Sequence, residues 1–521
     1  MKKQSKNFME VLLFALLIVQ FLGIAYSNLF LIDQNLDCDN AKLMRHIIEM
    51  WEHKTLLVPQ WAYTTTLEWD CTTVFAVLLY GILGNVYLAC GISNCILALI
   101  LLVSVFFLFK GKEQLYPLIC ANLILIPYQV GMLDYYNMLF FAGTQYIVKI
   151  TIPIMMIGLV LELQNTFEEK KKPSKLFWGI AFLYVFYLAL TCMSSGIYVM
   201  ACGIIPVIGA YICHQFFKWK KIPGRIWLFF AISALLFVVG QYINQRGMGG
   251  ARGQGMTLTN VYQFFANLSA TFVGVFELFG GVSGREELSI LSLEGIGIVG
   301  KCILVLALLI CGIRAVYKCI NKQGDLRTLM LISIFVWNYF ILCVTDTRAG
   351  SATSEYRYHL IGMIPLICVL GMTVIDGLKT LRKEQQKILF ITGFTALLFL
   401  NVICNKALYD RGEQHADLKE FVAYCDTLDL DYVYMYNESD DGDICRLLGE
   451  NAIYMCICDD ASVWAYGYYD YFKGAYLPST NAIVAVNEEL EQFGDEFYID
   501  GYRLVKFEKI GPRNLYYFAQ D

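Results

Sequence analysis

Nearly uncharged apolar stretches of about twenty residues recur along this chain of 521 residues. They constrain its fold more than any other feature. A helix of about 20 residues crosses the hydrocarbon core of a bilayer. Inside lipid every backbone N–H and C=O must find its partner within the chain, so such stretches predict helices. The candidates are 8–32, 71–109, 114–132, 137–163, 176–193, 197–217, 226–243, 258–282, 296–319, 328–345, 358–377 and 388–404. The chain is 57% hydrophobic and 16% charged, which excludes an ordinary soluble domain of this length. A net charge of −5 offers no electrostatic footprint for nucleic acid.

Sidedness decides which stretches cross. Lys and Arg favour the cytoplasmic side of short loops. The basic clusters are Lys2/Lys3/Lys6, Lys110/Lys112, Lys170–Lys172 with Lys175, Lys218/Lys220/Lys221/Arg225, Lys318/Lys322/Arg327 and Lys379/Arg382/Lys383/Lys387. All fall on one side only if 71–109 crosses once. Residues 64–84 are therefore expected as an interfacial helix before a span from Val86 to Phe109. By the same test 258–282 does not cross and belongs to an external loop, 244–295. The expected architecture is an α-helical polytopic membrane protein with about 11 transmembrane helices. Its N-terminus is cytoplasmic, with external loops at 33–85 and 244–295. The cytoplasmic loops are short, so no nucleotide-driven domain is expected there.

The character changes after Cys404. Residues 405–521 are rich in Asp, Glu and Tyr, with short apolar runs at Tyr432–Tyr436, Ala452–Ile457, Ile483–Val486, Leu504–Phe507 and Leu515–Phe518. These lengths and their turn-residue flanks predict strands. His415–Asp426 has helical spacing. A C-terminal extracytoplasmic α/β domain is expected. Cys456-Ile457-Cys458 reads as buried strand rather than metal site, since no histidines lie nearby. Trp464, Tyr466, Tyr468 and Tyr469 suit either sugar stacking or a domain core.

Four external motifs carry charge. Asp37-Cys38-Asp39-Asn40-Ala41 opens a one-sided helix through Leu43, Met44, Ile47, Ile48 and Trp51. Asp39 suits the N-cap, and capping is compatible with catalysis because a carboxylate at a helix start is held rigid and ionised. Asp134 lies in a turn, Gly131–Tyr136, where capping of the next helix is the alternative. Arg348 lies in Thr345–Arg348, and Glu355 and Arg357 in Ser354–Tyr358. Either arginine suits a lipid phosphate, because a guanidinium pairs bidentately with phosphate oxygens; headgroup anchoring is the alternative. Arg246–Gly255 carries Arg246 and Arg252 without the Gly-Lys-Ser/Thr ending of a P-loop, and reads as a linker or a closing loop. Lys149 sits inside an apolar run, where a charge is a functional candidate by default. Glu68 and Asp70 flank Trp69 at the expected start of the interfacial helix.

Asp39-Asn40-Ala41, Glu49-Met50-Trp51 and Leu56-Leu57-Val58-Pro59 together resemble the first external loop of the GT-C membrane glycosyltransferases. Within them the pattern resembles that of the enzymes that use polyprenyl-phosphate sugars, including the aminoarabinose and protein-mannosyl transferase group. Asn40 stands where that family carries Glu, and Asp37 is the acid beside it. Asp134 and the Glu355-Tyr356-Arg357-Tyr358 segment resemble further family features. The likeness in layout covers residues 8–404, and its sequence-specific part is confined to these short motifs. It implies a polyprenyl-phosphate-linked sugar donor and an extracytoplasmic glycan, lipid or protein acceptor. It implies Asp39 as general base, with Asp134 and Asp37 assisting, and Arg357, Arg348 or Lys149 on the donor phosphate. Glu68, Asp70, Glu355, Arg246 and Arg252 form a second rank. No metal ligand set is expected, a divalent cation stays open as a cofactor, and no nucleotide is implied. The rival reading is a transporter or flippase for a lipid-linked glycan, which has no need of a carboxylate opening an external helix.

Overall fold

The structure, a computed structural model, describes residues 3–59, 61, 63, 66–131, 134–141, 143–218, 220–247, 258–282, 288–321, 323–345, 356–458, 462–464, 481–499 and 501–519. Arg252, Arg348, Glu355, Tyr466, Tyr468 and Tyr469 lie outside the described residues. In chain order the helices are α1 (Lys3–Phe30), α2 (Cys38–Glu52), α3 (Thr73–Leu83), α4 (Val86–Leu108), α5 (Leu115–Ile124), α6 (Tyr135–Phe140), α7 (Ile147–Glu168), α8 (Lys175–Ser194), α9 (Ile205–Phe217, entered through a π turn at Met200–Ile204), α10 (Gly224–Gly247), α11 (Val261–Leu278), α12 (Leu293–Ile320), α13 (Leu326–Val344), α14 (Leu360–Thr380), α15 (Lys383–Tyr409), α16 (Ala416–Cys425) and α17 (Ser439–Leu448). Among the described residues ten helices are long and apolar enough to cross a membrane.

Three sequence expectations change in detail. The 114–132 run yields only the ten-residue α5, about 15 Å of rise and half a hydrocarbon core. Pro127 lacks the N–H a helix needs there and pushes its predecessor out of the α region. The 137–163 run divides into α6 and α7 at Gly143 and Thr144, the latter at φ 44°. The interfacial helix begins at Thr73 rather than residue 64, because the backbone of 66–72 is bonded elsewhere, as described below. The segment 258–282 contains α11, which is not among the ten long apolar helices.

The chain forms two compact units. The first comprises Met1–Ser27, Thr66–Thr72 and Asn94–Asp410. Its centre is α7 and α14: the most apolar stretches of these helices are 89% and 78% buried, against 22% in α10 and 17% in α15. A helix that is apolar all round and enclosed by other helices is the interior of the bundle; the exposed apolar faces of α10 and α15 suit lipid contact.

The second unit comprises Asn28–Thr65, Thr73–Ser93 and Arg411–Asp521. It holds a seven-stranded sheet of β1 (Tyr432–Tyr436), β2 (Ile453–Ile457), β3 (Val463–Trp464), β4 (Ala482–Asn487), β5 (Glu496–Ile499), β6 (Tyr502–Ile510) and β7 (Arg513–Phe518), in the order β3-β2-β1-β4-β7-β6-β5. β1 pairs in parallel with β2 and β4, and the remaining pairs are antiparallel. The central strands are buried on both faces, so they read as continuous apolar runs. β3, β5 and α17 were not legible: two are short, and α17 starts Ser-Asp-Asp-Gly. Cys456 is a buried strand residue, as its apolar neighbours suggest, whereas Cys458 lies just past the end of β2 and is half-buried.

Arg513 holds this unit together from inside. Its side chain is 1% exposed and donates to Glu438 at 2.9 Å, to Asp417 at 3.0 Å and to Asp441. Removing one member of a buried ion network strands the others. Arg513→Met is expected to cost about 3–5 kcal/mol, read as a lower thermal midpoint of the purified protein. Adding Glu438→Gln to it should recover part of the loss.

Candidate active site

In the first unit, segment 66–72 is tied to the turn that ends α8. The Leu67 N–H donates to the Ser194 carbonyl at 3.3 Å, and the Trp69 N–H donates to Ser194 Oγ at 3.0 Å. Ser194 Oγ also lies 2.8 Å from Thr66 Oγ1. These bonds satisfy donors that a helix would otherwise engage, which is why α3 starts late. Glu68 is held at φ 62° and is 8% exposed. A non-glycine residue there is strained by about 1 kcal/mol, so the surrounding bonds must fix it.

The tied segment delivers Asp70. Its carboxylate is 1% exposed, accepts from Ser195 Oγ at 2.5 Å and faces Lys149 Nζ at 3.6 Å. Lys149 belongs to the first turn of α7 and donates to the Gln145 carbonyl at 2.9 Å. An ammonium has three donors, and these two partners leave one for a ligand. Asp70, placed in the second rank by sequence, is thus the ion-pair partner of Lys149 in these apolar surroundings.

Lys149 Nζ lies 5.0 Å from the Tyr146 ring. Tyr146 is one of three mutually packed tyrosines: Tyr146–Tyr198, Tyr146–Tyr358 and Tyr198–Tyr358 centroids are 5.9, 6.3 and 6.0 Å apart. Tyr358 follows Arg357, whose guanidinium lies 5.4 Å from the Tyr358 ring. The structure therefore brings Lys149, in the first turn of α7, and Arg357, in the turn that leads into α14, to one tyrosine cluster. The Tyr358 carbonyl accepts from Tyr198 Oη at 3.2 Å and Asn338 Nδ2 at 3.3 Å, which fixes the turn that carries Arg357. Sequence reading had Tyr358 only as part of the Glu355-Tyr356-Arg357-Tyr358 segment and missed Tyr146 and Tyr198; the available signal for Tyr146 was its place one helical turn before Lys149.

Asp134 occupies the residue before α6 in extended conformation, yet its side chain makes no hydrogen bond to the helix start. Capping therefore does not explain it. Its carboxylate lies over Gly131, where a Cβ would stand 2.4 Å from Oδ2. Arg246 ends α10 and stacks on Tyr242 of its own helix at 4.4 Å, which accounts for its position.

In the second unit, α2 is capped by Asp37, not Asp39. Asp37 is extended (φ −132°, ψ 171°), and its carboxylate accepts the Asn40 N–H at 2.9 Å and the Asn40 side-chain amide. Asp39 falls in the first turn, and among the described residues its carboxylate has no hydrogen-bond donor. Glu49 pairs with Arg45 at 3.0 Å and His53 at 3.4 Å. His46 stacks on Trp61 at 4.5 Å and meets Tyr63 Oη at 3.3 Å, which holds the following stretch against the helix.

Helix α17 packs against α2 and brings Asp440 and Asp443 to the acidic helix start. Burial, then Asp39, Asp440, Asp37 and Asp443, push the Cys38 thiol far up, so it is not a nucleophile. Asp443 is 3% exposed; Oδ1 accepts from Arg446 at 2.6 Å, while Oδ2 has no hydrogen-bond partner among the described residues. Burial raises its carboxyl from 3.8 to about 6, against the pull of Arg446 and Lys42. Among the described residues no group of three His, Cys, Asp or Glu side chains is arranged to hold a metal ion.

Comparison with known proteins adds the fold. No family model matches the chain, and no curated protein matches it. Among solved structures it resembles ArnT from Cupriavidus metallidurans in the apo state, with a TM-score of 0.56 and 10% identity over 99% of this chain and 98% of that one. The undecaprenyl-phosphate-bound form of ArnT gives 0.55 and 10% over 96% and 97%. The archaeal oligosaccharyltransferase AglB from Archaeoglobus fulgidus, in complex with an inhibitory peptide and a dolichol-phosphate, gives 0.52 and 11% over 92% of this chain and 69% of that one. The chain spans 63% of the length of an A. fulgidus oligosaccharyltransferase tethered to an acceptor peptide. ArnT and AglB are GT-C glycosyltransferases. This chain has the GT-C fold: a multi-pass helical membrane region with a C-terminal sheet domain.

Asp443 gives a pH test. A carboxyl whose folded pKa is raised holds its proton more tightly in the folded state. The stability it contributes is present below pH 3.8 and is lost as pH rises through about 6. Between pH 4 and 7 wild-type thermal stability should fall relative to Asp443→Asn by on the order of 2–3 kcal/mol. Parallel melting curves over that range check it.

Proposed function

We propose that this chain is an integral membrane glycosyltransferase that moves a sugar from a polyprenyl-phosphate-linked donor to an extracytoplasmic glycan, lipid or protein acceptor. What carries the reading is the meeting of Lys149 and Arg357 at one tyrosine cluster within a GT-C fold. Lys149 and Arg357 hold the donor phosphate, and the tyrosine rings form the apolar wall beside it. Asp39 takes the proton from the acceptor hydroxyl or amine as that atom bonds to the anomeric carbon. The bond from anomeric carbon to phosphate oxygen breaks, and polyprenyl phosphate leaves with the electron pair. Negative charge grows at that oxygen, where a preorganised ammonium and guanidinium act most strongly in a water-poor site.

The division of labour at the start of α2 supports Asp39 as the base. Asp37 and Asn40 fix the helix end, and Asp39 is not consumed by that bond. Asp134, which does not cap α6, assists in orienting the acceptor. The N-terminus lies in the cytoplasm and the sheet domain outside, in keeping with the basic clusters.

Asp39→Asn should lower sugar transfer at least about 100-fold while leaving membrane yield and melting temperature unchanged. Release of polyprenyl phosphate from a labelled polyprenyl-phosphate sugar, measured in membranes, checks it. Normal release by that variant removes Asp39 from the chemistry and favours a transport role.

A further inference from the structure

Lys301 stands two turns into α12, in an otherwise apolar stretch. It is 8% exposed. Among the described residues its ammonium has no carboxylate partner and no hydrogen-bond acceptor. A cation on a membrane helix is costly unless it pairs, faces a polar cavity or snorkels to the headgroups. The burial of Lys301 excludes snorkelling.

The surroundings of Lys301 are polar on one side. Gly280, at φ 65°, lies beneath its head; a Cβ there would stand 2.9 Å from Lys301 Nζ and 2.3 Å from Gln129 Oε1. Lys301 from α12 and Gln129 from the turn before Asp134 thus meet over the bare face of Gly280, an approach that a side chain there would block. The Gly280 turn is held: Cys302 Sγ donates to the Gly281 carbonyl at 2.9 Å, and the Gly280 N–H donates to the Glu277 carbonyl at 2.8 Å. Tyr128 packs edge-on against Phe279, the neighbour of Gly280, at 4.8 Å. Glu277, one turn before Gly280, makes no ion pair with Lys301 among the described residues. Neither Gln129 nor Gly280 takes part in the Lys149 cluster.

A buried ammonium lacking an anion, beside an amide that can donate two further bonds, matches a tetrahedral oxyanion. We propose that Lys301 and Gln129 form a second phosphate site beside Gly280, occupied by a phosphate carried on a lipid. This goes beyond the transfer reading. One phosphate belongs to the donor at Lys149 and Arg357; a second lets the bundle hold another phospholipid or a lipid-borne acceptor at the same time.

The test uses the full chain, purified in detergent and delipidated, titrated with dioleoyl phosphatidic acid, with matched diacylglycerol and with inorganic phosphate. The wild-type melting temperature should rise with phosphatidic acid and not with diacylglycerol. Lys301→Met should weaken that response at least about tenfold in apparent affinity, and Lys301→Arg should retain it. Lys301→Met should be no less heat-stable than wild type without lipid, because an apolar side chain replaces an unpaired buried charge. Gln129→Ala should weaken the response in the same direction, and it decides the matter should Lys301→Met not fold. Arg357→Ala should leave the Lys301-dependent part intact, which separates this site from the proposed donor site. An equal response in Lys301→Met and wild type overturns the proposal, as does equal action of diacylglycerol. A Lys301-dependent shift with inorganic phosphate alone overturns the lipid assignment. None of these readings uses sugar transfer, so failure here and failure of the transferase reading are distinguishable.

Discussion

The Lys149–Asp70 pair is the interaction on which the candidate site depends. Each group alone would be expensive at its depth, since transfer of an unpaired charge into a low-dielectric interior costs several kcal/mol. Together, at 3.6 Å, they form an ion pair at the N-terminal end of α7. The pairing exists only because residues 66–72 depart from helix and bond to the Ser194-Ser195 turn, which aims Asp70 inward. The strain at Glu68 fits the same account: the segment is held in a conformation that its residues do not prefer, for the sake of where Asp70 ends up.

A comparable economy governs the start of α2. Two aspartates separated by Cys38 compete for one cap. The structure gives the cap to Asp37, with Asn40 as its two-pronged partner. That leaves Asp39 in the first turn, outside the capping bonds. Helix α17 adds Asp440 and Asp443 to the same neighbourhood, which raises the local negative potential and protects the Cys38 thiol from ionising.

Much of this was legible in the residues. The long apolar stretches gave the bundle, because hydrocarbon thickness and backbone hydrogen bonding leave a helix little alternative. Five of the seven strands announced themselves as short apolar runs. What failed was local. Pro127 cuts α5 short, and the signal was in plain view. Which of Asp37 and Asp39 caps α2 depends on where the backbone turns helical, and spacing alone does not tell. Lys149 was found by the rule that a charge inside a span demands a reason; the same rule points to Lys301, which the apolar reading of 296–319 passed over. The tyrosine cluster joins positions 146, 198 and 358, which only the meeting of the turns that lead into α7, α9 and α14 brings together.

The central claim is that the tyrosine cluster flanked by Lys149 and Arg357 receives a polyprenyl phosphate. Native mass spectrometry of the purified full-length protein with undecaprenyl phosphate tests it most directly. The account predicts a saturable complex with wild type that is lost, by at least about tenfold in affinity, in the Lys149→Met/Arg357→Met double variant. Undiminished binding by that variant would contradict it.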